Sequence, residues 1–198
     1  MKNRVTELAL LIALLFATTP AVGRADEGAK EQTSFSSEQD FVNQPVQSPT
    51  PLSAEALSAL ATDRNVAGCL AESGKSPDQV FAWFVASVIH LGPKDEADYI
   101  VLPNLLLKAG QPDDVPGRGC FLRANAAWFW ALRRTKQGYK LVFSGGGHEL
   151  SVLRHRTNGF RDIKTGFILQ AGQTLDETVY RFDGQSYVQV KVDQRPLE

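Results

Sequence analysis

The sequence predicts a mainly β domain, an antiparallel meander of the sandwich or propeller-like hairpin kind with one short N-terminal helix. Three observations carry that expectation. From Val80 onward, aromatic and β-branched residues recur in short runs, as strands require. The runs are separated by turn residues, among them Asn158-Gly159 and Asp183-Gly184, which suit the positive backbone angles of tight hairpins. The connections are too short for the crossover helices of a parallel sheet.

At the amino terminus, Lys2 and Arg4 precede a ten-residue apolar stretch, Leu8 to Ala17, followed by Pro20 and the small residues Gly23 and Ala25. This is the pattern of a secretory signal peptide, with residues 1–25 removed and cleavage after Ala25, or after Ala21 as the alternative. The stretch is half the roughly twenty residues that a spanning helix needs, so no transmembrane anchor is expected after cleavage. The expected address is periplasmic or secreted. The whole chain carries a formal charge of -1 and the mature part -3, which favours neither nucleic acid nor an anionic membrane. Residues 26–51 are polar, with isolated Phe35 and Phe41 and no sustained period, and read as a flexible leader. The two phenylalanines offer the alternative of an arm docked on the domain.

The β-rich domain spans residues 52–198. Its helix is expected over Ser53 to Asp63, where Ser53 can cap and Leu57, Leu60 and Ala61 share a face. Strands are expected over Val80–Leu91, Asp98–Leu102, Ala127–Arg134, Tyr139–Ser144, Leu150–Arg156, Arg161–Leu169, Thr178–Phe182 and Tyr187–Val192. Arg133, Arg134, Arg154, His155, Arg156 and Lys164 fall on strand exteriors, where charge protects sheet edges. Cys69 and Cys120 form an even pair in a chain bound for an oxidising compartment, and a disulfide between them is expected. The longest irregular piece, Pro103 to Gly119, ends at that bridge, and loops of such length are frequently functional.

The stretches Gly119-Cys120-Phe121-Leu122-Arg123-Ala124-Asn125, Trp128-Phe129-Trp130, Thr157-Asn158-Gly159-Phe160-Arg161-Asp162-Ile163 and Tyr180-Arg181-Phe182-Asp183-Gly184 resemble a group of exported bacterial proteins of unknown function. The likeness runs from about Leu52 to Val192 and implies export and a β fold, with no catalytic residue. More distantly, the strand-turn-strand units resemble hairpin repeats of the FG-GAP style, in which an Asp-rich turn binds calcium. The corresponding turn here, Gly92 to Asp98, departs from the alternating acidic pattern, and no metal or other cofactor is expected.

Gly145-Gly146-Gly147-His148-Glu149 is the most conspicuous motif. Glycines permit close backbone approach, and His148 with Glu149 has the residue types for proton transfer, although a hairpin loop is the plainer expectation. The lysine and hydroxyl of a phosphate loop, the second histidine of a zinc protease and a Gly-x-Ser-x-Gly elbow are all missing. Trp128 and Trp130 fall on one face of a strand and Phe129 on the other, so one face belongs to the core. The aromatic face, with Arg133 or Arg134 beside it, is either core or a recognition patch. Taken together, Trp128, Trp130, Arg133 and His148 are the candidate ligand-binding residues. The expected function is a non-enzymatic recognition module for an envelope protein or glycan, an inhibitor or immunity protein being one form of it. An envelope hydrolase centred on His148 and Glu149, and a purely structural assembly domain, are the rivals.

Overall fold

The computed structural model describes residues 31–37, 46–93, 96–104, 116–123, 126–169 and 173–196. The expected signal peptide and most of residues 103–119 lie outside the described residues.

Two antiparallel sheets face each other as a sandwich. The first contains β2 (Phe84–Ile89), β3 (Asp98–Pro103), the short β4 (Leu122–Arg123), β5 (Ala126–Thr135) and β6 (Gly138–Gly147). In the second, β1 (Ser34–Ser36), β7 (Glu149–Thr157), β8 (Phe160–Leu169), β9 (Thr174–Phe182) and β10 (Tyr187–Pro196) lie side by side in that order. The meander holds within each sheet: β2 pairs β3, β3 pairs β5 and β5 pairs β6, then β7 pairs β8, β8 pairs β9 and β9 pairs β10. Asn158, at φ 51, and Gly159, at φ 82, make the tight β7–β8 turn that the sequence announces.

The glycine motif does not form a hairpin loop. Gly145, Gly146 and Gly147 complete β6, and the chain passes through His148 into β7, leaving one sheet and joining the other. Glycine is required there because the sheets touch through their backbones: a Cβ on Gly147 would lie 2.8 Å from the carbonyl oxygen of Gly166. The corner is fastened by the His148 N–H, which donates to that same Gly166 oxygen at 2.8 Å.

The helical part exceeds the single helix expected from the sequence. α1 (Ala54–Leu60) starts at Ser53, whose Oγ accepts from the Ala56 N–H at 3.2 Å. A second helix, α2 (Arg64–Ser73), follows at once, capped by Asp63 and stopped by Gly74 at φ 65. Its poor helix formers Asn65 and Gly68 mask it in a propensity reading, but Val66, Cys69 and Leu70 keep helical spacing and are buried. A short α3 (Pro116–Phe121) carries Cys120. The strand expected from Val80 starts only at Phe84. Residues Pro77–Gln79 and Phe81–Trp83 are single 3₁₀ turns, and the buried pair Val80 and Trp83 stands three apart, the period of that helix rather than of a strand.

Both helices pack on the face of the first sheet that points away from the second. The domain is therefore three layers with two cores. Between the sheets lie Phe129, Ala131, Ile100, Leu150, Val152, Ile163 and Phe182; between the first sheet and the helices lie Trp130, Leu132, Val101, Leu57, Leu60 and Leu70. Strand β5 is covered on both sides, with Phe129, Trp130, Ala131 and Leu132 all at 0% exposure. A bulge in β6 at Val142, between the pairs Ala131–Phe143 and Leu132–Leu141, lets consecutive residues Val142 and Phe143 both enter the inter-sheet core.

Part of the expected leader is also built into the domain, as the docked arm rather than the solvated linker. Strand β1 pairs with β7 through Phe35–Leu150, and Phe35 and Val46 are buried in the inter-sheet core at 1% and 0% exposure. Glu31 anchors the arm by accepting from Arg161 at 2.6 Å and from the His90 N–H at 2.7 Å. Burial alone would raise its pKa, but those donors and the Arg161 charge outweigh it and hold the Glu31 carboxyl below its ordinary range.

Candidate functional site

At the end of the sandwich where the chain changes sheets, a cleft of about 180 Å³ opens between α3, β5, β6 and β8. It is lined by Cys120, Phe121, Ala126, Ala127, Trp128, Gly146 and Phe167. Each wall has a local cause. Trp128 stands directly across the β5–β6 pair from Gly146, so its indole lies over a residue with no side chain, and a Cβ there would meet the ring at 2.7 Å. Ala126 and Ala127, small residues at the start of β5, leave the space that the cleft occupies. Phe121 forms the floor at 2% exposure, held edge-on against Trp130 at 5.2 Å and tilted on Phe84 at 5.5 Å. Phe167 remains 37% exposed on β8, one of the few large apolar side chains that the fold leaves in solvent.

The disulfide fixes one wall. Cys69 of α2 and Cys120 of α3 are joined with their Cα atoms 5.9 Å apart, closing a sequence separation of 51 residues. The bridge holds α3, and with it Phe121, against the helical layer, and both Cys120 and Phe121 line the cleft beside Trp128.

His148 reaches the cleft only through Phe167, on which its ring packs edge-on at 5.1 Å. Its Nδ1 accepts from the Ile168 N–H at 3.0 Å, which leaves Nε2 as the nitrogen that carries the proton in the neutral ring. The backbone is equally committed, since the His148 carbonyl accepts from the Ser37 N–H at 2.7 Å. Glu149 lies against Gly166, where a Cβ would come within 2.8 Å of its Cγ. His148 sits at the corner between β6 and β7, and Glu149 opens β7.

The four candidate binding residues are thus not one patch. Trp128 lines the cleft, His148 borders it and Trp130 is wholly buried, 5.6 Å and edge-on from Phe84, with its Nε1 unpartnered. Arg133 lies five residues further along β5, roughly 17 Å by strand geometry, and on the opposite face. There its guanidinium sits over Phe160, 4.6 Å from the ring centroid. Sequence reasoning missed Phe121 and Phe167. Both belong to recognisable elements, but their roles depend on which neighbours cover them.

The remaining histidines are held by carboxylates. His90 Nδ1 lies 3.0 Å from Glu31 and His155 Nδ1 lies 2.8 Å from Asp162, whose other oxygen is buried without a partner. Among the described residues no group of three or more His, Cys, Asp or Glu side chains is placed to hold a metal ion. Of the carboxylate pairs in the sequence, Asp113 and Asp114 lie outside the described residues. Glu177 is engaged by Lys164, whose hydrogen bond holds its carboxyl below the ordinary range.

The chain matches no known family model, no curated protein and no solved structure.

Proposed function

We propose that this is an exported, non-enzymatic recognition module that binds an envelope protein or glycan in the cleft formed by Trp128, Phe121 and Phe167. The observation that carries the reading is the seating of Trp128. An indole packed against a glycine and lining a cleft of apolar groups is an anchor that loses little freedom on binding. Two further features support it. The disulfide braces the wall next to the anchor, and a bridge closing a long loop suits an oxidising compartment. No helix among the described residues is long and apolar enough to cross a membrane.

Tryptophan fluorescence tests the site directly, because Trp83 and Trp130 are 5% and 0% exposed and only Trp128 is accessible to a ligand. Soluble envelope proteins and glycan fragments are titrated while emission and acrylamide quenching are followed. A ligand should protect Trp128, and Trp128→Ala, which lacks that reporter and is followed by calorimetry, should bind it more weakly by about 2 kcal/mol, some thirtyfold. His148→Ala should cost less than threefold, because that side chain touches the cleft through Phe167 alone. Binding that survives Trp128→Ala, or a catalytic turnover that vanishes with His148→Ala, would overturn the proposal.

A further inference from the structure

A second cleft, of about 260 Å³, lies at the other end of β5, between the β5–β6 turn and the segment after β2. We propose that it binds a carboxylate-bearing sugar, with Arg133 and Lys136 as the groups that hold the carboxylate. The volume suits one sugar ring. Three cations, Arg133, Arg134 and Lys136, and two carboxylates, Asp98 and Glu96, line it.

These charges are not equally available to a ligand. Asp98 is 2% exposed and its oxygens accept from the Arg134 N–H at 2.7 Å and the Leu91 N–H at 3.0 Å, so its lone pairs are engaged by the backbone rather than by a ligand. The Arg134 side chain turns to the helical layer, over Tyr139 at 4.8 Å and beside Glu55 at 3.4 Å. Arg133 is different. Its guanidinium lies over Phe160 and 5.7 Å from the Phe182 centroid, and those two rings pack at 4.2 Å, so the cation rests on an aromatic support. A guanidinium held over a ring keeps its N–H edges for a planar oxyanion, the geometry that a carboxylate matches with two parallel bonds.

On the opposite wall, Gly92 is held in place. Gly92 packs so closely on Phe160 that a Cβ would come within 3.0 Å of Cε1. Arg156 Nη1 donates to the carbonyls of Leu91, Gly92 and Gly159 at 3.0, 3.0 and 2.9 Å, which pins that turn to the β7–β8 turn. Lys136, exposed in the β5–β6 turn, supplies a second cation within the same lining. A guanidinium seated on aromatic rings, with an exposed lysine in the same lining, is an arrangement for a small oxyanion.

The test is a chemical-shift titration of the disulfide-bonded chain with methyl glucuronide, methyl glucoside and inorganic phosphate. The glucuronide should shift the amides of Gly92, Arg134, Thr135 and Lys136, and the neutral glucoside should not. Lys136→Gln and Arg133→Gln should each weaken glucuronide binding at least fivefold, while Arg133→Lys should recover only part of the loss. Lys136 is an exposed turn residue, so Lys136→Gln decides the matter even if Arg133→Gln unfolds the domain. Trp128→Ala should leave this binding unchanged, which separates the site from the apolar cleft at the other end. Glucoside bound as tightly as glucuronide, no glucuronide shifts at all, or phosphate bound as tightly as glucuronide, an adventitious ion only, would each overturn the assignment.

Discussion

Replacing Phe35 by alanine asks whether the arm before the domain is part of the fold. The side chain is 1% exposed, lies in the inter-sheet core and is carried by a strand of three residues, Ser34–Ser36. Deleting a buried phenylalanine removes its transfer free energy and leaves a cavity, a cost of about 3–5 kcal/mol. Domains of this size are stable by about 5–15 kcal/mol, so the loss amounts to about a fifth of the total or more. Phe81→Ala is the matched control. Phe81 is 45% exposed, and its truncation should change stability by no more than about 0.5 kcal/mol. Both variants are unfolded in urea with the disulfide intact, and the midpoints are compared at unchanged slope. Amide exchange at Leu150 and Val152, the β7 residues beside the arm, should quicken in Phe35→Ala alone. Equal midpoints for the two variants would return residues 31–37 to the status of a linker.

Two other perturbations follow from the same geometry. Replacing Cys69 and Cys120 together by alanine reopens a separation of 51 residues, which by chain entropy costs ~4 kcal/mol, and should lower the urea midpoint accordingly while loosening Phe121. Glu31→Gln should destabilise the domain by about 1–2 kcal/mol near neutral pH, because it removes a charge-assisted bond to the nearly buried Arg161. The pH dependence has a definite sign. The folded carboxyl titrates below its ordinary value of 4.5, so its contribution is complete above that value and fades as pH falls through the lower folded one. Parent and variant should therefore converge in acid unfolding curves as pH falls below 4.5, and a constant gap across that range would remove Glu31 as the cause.

Much of the architecture is readable from short-range chemistry. Asn158-Gly159 marks a hairpin because only certain residues accept its backbone angles, and the eight expected strands from Val80 onward correspond to β2, β3 and β5 to β10 within a few residues, the first starting four residues late. The pairing of Cys69 with Cys120 was legible in the even cysteine count, since the chain has only these two. The second helix was legible too, in the Asp63 cap, the Val66, Cys69 and Leu70 spacing and the Gly74 stop, but it was hidden by residues of low helix propensity.

Strands, turns and helix caps are local grammar, each set by a few neighbouring residues. Which faces meet water depends on packing between distant segments. The alternation Trp128-Phe129-Trp130 shows two faces but not that helices cover one and a second sheet the other, so Trp130 is core while Trp128, two residues earlier, lines a cleft. The same holds for the three glycines, where the meaning of Gly147 lies in the Gly166 backbone, nineteen residues away along the chain and in contact across the sheet corner. Burial is a property of what packs above a residue, and that partner is chosen by the whole chain rather than by the residue's neighbours.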